Sequence, residues 1–128
     1  LYGMTSDGSN SVLLTSIKCY YFLPHWSPDG ATIVFESDRD GLPNLYAMAA
    51  PSTVVTQPID QDVRLLTFPG FSSAAPAWAL AGEAILFSSD RDAVNGVNWE
   101  VYSMNADGSN VIRLTNSDKL DRFADWTP

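Results

Sequence analysis

Two stretches pair carboxylates around a guanidinium: Asp38-Arg39-Asp40, followed by Gly41, and Asp90-Arg91-Asp92. Carboxylates two residues apart can converge on a hard cation through oxygen ligands. The same residues also suit a tight reversal, because Asp side chains bond nearby amides and Gly takes positive φ without a steric cost. A calcium loop demands a longer Asp/Asn series and a distal Glu, and neither follows here. The turn is the preferred reading, with ligand or cation contact as its competitor. His25 is the sole histidine and sits between Pro24 and Trp26, and no Gly-x-Ser-x-Gly elbow accompanies it. A serine triad is therefore not assembled, and no catalytic residue is assigned. Cys19 is the sole cysteine. It excludes an internal disulfide and a cysteine metal cluster, and reads as an inert thiol. No metal or cofactor is expected.

The elements that position these groups repeat. Pro24 and Trp26 recur as Pro76 and Trp78, and residues 33–40 (IVFESDRD) recur as 85–92 (ILFSSDRD), both at an offset of 52. Tyr-x-Met occurs at 2–4, 46–48 and 102–104, and Leu-Thr at 14–15, 66–67 and 114–115. Trp26, Trp78 and Trp126 each lie eleven residues after the Thr. One unit thus has four strands: A ending at the Trp, B as the Ile-x-Phe run, C with Tyr-x-Met, D with Leu-Thr. β-branched and aromatic residues without polar alternation, as in 32–35, imply strands buried on both faces. The spacing predicts C and D over 1–4 and 11–15, a full unit over 23–67, a second over 76–115, and a lone A over 122–128. Asp7-Gly8-Ser9-Asn10 and Asp107-Gly108-Ser109-Asn110 read as C to D hairpin turns.

Fifteen acidic against seven basic side chains leave a net charge of −8. That balance repels phosphate backbones and anionic bilayers, so neither nucleic acid nor membrane insertion is expected. A basic or zwitterionic protein partner, or a cation, fits better. The length and the 45% hydrophobic content suit one packed domain.

Four-stranded antiparallel units at this period are the mark of β-propeller blades. Pro24-x-Trp26-Ser27-Pro28-Asp29-Gly30, Ile33-x-Phe35-x-Ser37, Asn44-x-Tyr46-x-Met48 and Leu66-Thr67 resemble the TolB-type propeller repeat, found also in propeller domains of prolyl-oligopeptidase-like enzymes. The second full unit departs from the pattern, with Ala79-Leu80-Ala81-Gly82 in place of Ser-Pro-Asp-Gly. The expected fold is all-β, a partial propeller of about three four-stranded blades with incomplete blades at both ends. The resemblance implies a non-catalytic protein-binding scaffold in a periplasmic or extracellular setting. The alternative is the propeller portion of an enzyme, either a peptidase gate or a carbohydrate-acting propeller. Unpaired blade ends imply a portion of a larger propeller, or copies completing each other head to tail.

The D to A and B to C loops must emerge on one face. That face gathers Cys19, Tyr20, Tyr21, Phe22, Phe68 and Phe71 with Asp38, Arg39, Asp40, residues 90–98 and residues 119–122. Aromatics mixed with carboxylates and arginine match protein-recognition patches. The expected binding set is Tyr20, Tyr21, Phe22, Asp38, Arg39, Asp40, Phe68, Phe71, Asp90, Arg91, Asp92 and Trp99. Burial of residues 20–23 as the start of strand A competes with this assignment. Trp26, Trp78 and Trp126 are expected to pack between sheets, whereas Trp99 has no partner in the repeat and is the candidate exposed aromatic.

Overall fold

A computed structural model describes residues 1–52, 57–59, 62–93 and 98–126. Among these residues lie ten strands and no α-helix: β1 (Tyr2–Gly3), β2 (Val12–Leu13), β3 (Tyr21–Trp26), β4 (Thr32–Ser37), β5 (Asn44–Ala49), β6 (Arg64–Leu65), β7 (Ser73–Trp78), β8 (Ala84–Ser89), β9 (Glu100–Asn105) and β10 (Ile112–Arg113). They form two four-stranded antiparallel sheets, β3-β4-β5-β6 and β7-β8-β9-β10, preceded by the two-stranded sheet β1-β2. The fold is thus an all-β partial propeller.

The B and C strands obey one register in both sheets. Ile33 faces Met48 and Phe35 faces Tyr46, just as Ile85 faces Met104 and Phe87 faces Tyr102. Each A strand is broken by a bulge, between Phe22 and His25 in β3 and between Ala74 and Ala77 in β7. Leu23 and Ala75 enter the left-handed region there, at φ 48° and 54°. Pro24 and Pro76 follow them, where a missing N–H costs no ladder bond because the ladder is already interrupted.

Each sheet has two different faces. Val34, Leu45, Ala47 and Leu66 of the first pack against Trp78, Ile85, Phe87, Tyr102 and Met104 of the second in one buried cluster. On the other side, Ile33, Phe35, Tyr46 and Met48 pack against Leu14, Leu1 and Val12 of the opening hairpin. An aromatic face therefore meets an aliphatic one at each junction. Burying a side chain of this size contributes roughly 1.5–3 kcal/mol, so each junction is a major source of stability. The junction between the full sheets is also tied by polar contacts. Trp78 Nε1–H donates to the His25 carbonyl (3.3 Å), and the Arg64 guanidinium donates to the carbonyls of Ala106 (3.0 Å) and Asp107 (3.1 Å).

Two expectations need correction. Residues 121–126 form no strand, although Trp126 keeps the place of its repeat and donates from Nε1 to the Ala77 carbonyl (3.3 Å). Their B partner is not among the described residues, and an A segment has no ladder without one; Thr127 and Pro128 lie outside the described residues. Nor are the three tryptophans equally buried: Trp78 is 6% exposed, Trp126 36% and Trp26 50%. Only Trp78 lies between two full sheets.

Candidate loop face

Antiparallel alternation brings the start of β3 beside the end of β4, and the start of β7 beside the end of β8, at one end of the sheets. The Asp-Arg-Asp stretches sit there, turned toward their own sheet. Asp38 Oδ1 accepts the Tyr20 N–H (2.9 Å), and Asp90 Oδ1 accepts the Ser72 N–H (2.7 Å). Asp40 Oδ2 accepts the Tyr46 hydroxyl (2.8 Å), and Asp92 Oδ2 accepts the Tyr102 hydroxyl (2.7 Å). Between the two acids, the Arg39 guanidinium lies over Tyr46 (5.0 Å), Tyr21 (5.6 Å) and Phe35 (5.8 Å). Arg91 lies 5.0 Å from both the Phe87 and Tyr102 rings. One motif thus performs three tasks: the first acid holds the incoming D to A loop, the arginine caps the stacked Phe–Tyr pair through cation–π contact, and the second acid receives the tyrosine hydroxyl.

Protonation follows from these contacts. Burial, and then the hydrogen bond to an aspartate, pushes the Tyr46 and Tyr102 hydroxyls well above the usual phenol range. Burial lowers the Arg91 guanidinium. Glu36, whose Oε2 accepts the Ala75 N–H (3.4 Å), is pushed up by burial and pulled back by that bond and by Arg122.

The aromatic members of the predicted set divide. Tyr20 and Phe22 are exposed and stack on each other, with centroids 5.9 Å apart and ring planes 10° apart. Phe68 and Phe71 are exposed on the next D to A loop. Tyr21 is half-buried: it receives Arg39 Nη2–H and donates to the Ile17 carbonyl, both at 3.2 Å. Trp99, expected to be the exposed aromatic, is half-buried instead. Arg122 lies 4.1 Å above its ring, and its carbonyl accepts the Asp121 N–H (2.8 Å). Pro43 has the matching place in the first sheet, where its carbonyl accepts the Ser73 N–H (2.8 Å), so the Trp99 position does have a counterpart. Of the stretch 90–98, residues 94–97 lie outside the described residues. Among the described residues, no three His, Cys, Asp or Glu side chains converge as metal ligands. No helix among them is long and apolar enough to cross a membrane.

Sequence reasoning left two arrangements without a role. The Leu-Thr series caps the C strands: Thr67 Oγ1 accepts the Leu45 N–H (3.0 Å) and donates to Asn44 Oδ1 (2.7 Å), while Thr115 Oγ1 accepts the Val101 N–H (2.9 Å) and donates to Glu100 Oε2 (2.5 Å). The spacing from Leu-Thr back to Tyr-x-Met carried that signal. The A segments also line a groove of about 220 Å³ that includes Pro24, His25, Pro76, Phe123 and Asp125.

No family model matches the chain. An uncharacterized protein of Agrobacterium fabrum is 28% identical over 129 residues, covering 100% of this chain and 38% of that protein. The Tol-Pal system protein TolB of Anaeromyxobacter dehalogenans is 32% identical over 120 residues, covering 94% of this chain and 25% of TolB. In structure, the chain matches TolB from Acinetobacter baumannii with a TM-score of 0.75 at 27% identity, over 98% of this chain and 29% of that one. A putative TolB from Agrobacterium tumefaciens gives 0.70 at 25% identity, over 88% of this chain and 39% of that one. A puromycin hydrolase shares the fold alone, at 18% identity and a TM-score of 0.67. The chain spans about a quarter to two fifths of the length of these four proteins. With the repeated register, the paired sheet faces and these similarities together, the chain is built from TolB-type β-propeller repeats.

Proposed function

We propose that this chain is a non-catalytic propeller segment that binds a protein partner through its loop face, in a periplasmic or extracellular setting. One observation carries the reading. Tyr20 and Phe22, at the start of β3, and Phe68 and Phe71, on the following D to A loop, stand exposed, while the Asp-Arg-Asp side chains at the same end of the sheets are engaged within them. Exposed aromatic side chains with little rotamer freedom are the usual anchors of protein interfaces. The similarity to a Tol-Pal system protein supports a protein ligand and an exported setting. The likeness to a puromycin hydrolase is one of fold and brings no catalytic group with it. Head-to-tail association belongs to the same reading, with residues 121–126 of one copy beside β1-β2 of the next.

The test is retention of a partner from a periplasmic extract of a Tol-Pal-bearing bacterium. Phe68→Ala/Phe71→Ala and Tyr20→Ala/Phe22→Ala are each expected to weaken binding of the retained protein roughly tenfold or more. His25→Ala and Cys19→Ala are expected to leave it unchanged. Equal retention by all four variants would reject the loop face. Light scattering across a concentration series tests the association of copies, and a constant monomer mass would remove it.

A further inference from the structure

A cavity of about 190 Å³ lies between the two full sheets, at the end away from the loop face, and its walls include Ser27, Asp29, Thr32, Trp78, Gly82 and Ala106. Both walls belong to complete four-stranded sheets. Packed interiors hold few voids larger than one water, and this one has room for several. Small residues leave the room: Ala81 and Ala106 bring one methyl each, and a Cβ on Gly82 would already come within 3.6 Å of Pro28.

The walls differ in chemistry. Trp78, 6% exposed, forms the inner side, and Asp29 stands exposed at the rim. Asp29 Oδ1 accepts the Ser27 hydroxyl (2.5 Å) and the Ala31 N–H (3.0 Å), while Ser27 Oγ accepts the Thr32 N–H (2.9 Å). Asp29 Oδ2 and the Thr32 hydroxyl have no partner among the described residues. The Ser27 hydroxyl, and then the Ala31 amide, hold the Asp29 carboxyl below its ordinary value of 3.8, and no basic side chain contributes. The rim thus carries a carboxylate without a counter-charge.

The turn itself does not require these groups. The repeat places Ala79, Ala81 and Ala84 where the first unit has Ser27, Asp29 and Thr32. The second turn closes all the same: the Ala79 N–H bonds the Ala84 carbonyl (2.8 Å) as the Ser27 N–H bonds that of Thr32 (2.8 Å), and the Gly82 N–H bonds the Ala79 carbonyl (2.9 Å) as the Gly30 N–H bonds that of Ser27 (2.8 Å). The polar wall is therefore available to a ligand.

Size and charge select its class. An anion would be repelled by Asp29, a hard metal ion needs about six oxygen ligands, and a drug-sized molecule needs roughly 300 Å³ or more. We infer that the cavity takes a primary ammonium group on a short alkyl stem, its N–H donors on Asp29 and Thr32 and its stem against Trp78. Free alkylamines and the lysine side chain of a partner share this chemistry.

The test titrates n-butylamine hydrochloride into the isotope-labelled chain, followed by amide and indole NMR, with n-butanol and sodium butyrate as comparisons. Saturable one-to-one binding of the amine is expected, with the largest shifts at Thr32, Gly82 and the Trp78 indole, and at least roughly tenfold weaker binding of the alcohol and the acid. Asp29→Asn, which keeps an acceptor for Ser27, should weaken amine binding roughly tenfold, and Ala81→Leu, which fills the space, should do at least as much. Phe68→Ala/Phe71→Ala should leave it unchanged, so the outcome is separate from that at the loop face. Nα-acetyl-lysine amide distinguishes the sources: binding equal to that of butylamine assigns a partner's lysine, and binding of butylamine alone assigns a free amine. Equal binding of butylamine and butanol, unchanged binding by Asp29→Asn, shifts spread over the acidic surface, or no saturation because the cavity holds water only would each overturn the inference.

Discussion

Leu66 and Leu114 hold the same place in successive repeats, yet Leu66 is 5% exposed and Leu114 52%. Trp78 and Trp26 differ in the same way. Nothing within the repeat explains the contrast, since Leu66 and Leu114 each directly follow a D strand and Trp26 and Trp78 each end an A strand. The neighbour explains it. Leu66 lies beneath the second sheet, in the cluster with Trp78 and Phe87, and the described residues place no such sheet over Leu114. Side chains of a propeller blade thus draw their stabilisation from the junction rather than from their own sheet, as expected of a quasi-one-dimensional stack.

Truncating the two tryptophans measures that difference most directly. Trp78→Ala is expected to cost about 3–5 kcal/mol, because it empties a packed junction and removes the bond to His25. Trp26→Ala is expected to cost no more than about 1.5 kcal/mol, since half of the side chain already meets solvent. Urea unfolding of both variants, with the slope monitored for loss of cooperativity, separates them. Equal losses would mean that the junction is not where the stability resides.

The turn glycines sharpen the same contrast at smaller scale. Gly8 and Gly108 occupy equivalent C to D turns, at φ 82° and 89°. A Cβ on Gly8 would meet open space, whereas one on Gly108 would come within 2.7 Å of the Leu66 carbonyl oxygen across the junction. Gly8→Ala should therefore cost only the left-handed strain, about 1–2 kcal/mol. Gly108→Ala should cost that plus a displacement of the backbone at the junction, roughly 2–4 kcal/mol in all. Thermal melts at matched concentration distinguish the two. A smaller loss for Gly108→Ala would show that the junction yields easily.

How far these features were legible depends on whether their cause is local. The B strands were legible as the Ile-x-Phe runs, which lie within 32–37 and 84–89, because apolar β-branched and aromatic side chains specify them without outside help. The A strands begin earlier than expected, at Tyr21 and Ser73, because the bulge lets the chain rejoin the ladder upstream. Left-handed Leu23, Ala75 and Phe123 left no trace in residue type, since glycine occupies none of these sites. At two of them the preceding sheet supplies a bond instead: the Ala75 N–H bonds Glu36 and the Phe123 N–H bonds Ser88 (3.2 Å). The D strands are shorter than expected because Leu66-Thr67 and Leu114-Thr115 leave the ladder to cap the adjoining C strand. At the loop face, the turn character of Asp-Arg-Asp was readable from composition. The stacking of Arg39 on Tyr46 was not, because it joins residues that only the register of β4 on β5 brings together.

The smallest contrast concerns one charge. Asn44 and Glu100 begin the C strands of the two full sheets, and each accepts the hydroxyl of the Leu-Thr threonine. Asn44 does not titrate. The Thr115 hydroxyl, and then the Ser117 N–H and Arg113, hold the Glu100 carboxyl below its ordinary value of 4.5. A depressed carboxyl contributes stability that is present above the ordinary value and is lost as pH falls through the lowered one. Between pH 6 and pH 3, the hydrogen-exchange protection of the Val101 amide should thus fall, while that of the Leu45 amide, bonded to Thr67 in the same way, should hold. Glu100→Gln should keep the acceptor for Thr115 but lose the 2.8 Å ion pair with Arg113, leaving Val101 less protected at neutral pH and nearly independent of acid. A parallel acid response at Leu45 and Val101 in the unmodified chain would place the titration elsewhere. Glu36 would then be the group to substitute, because burial raises its carboxyl and gives it the opposite sign: its contribution is present at low pH and declines as pH rises.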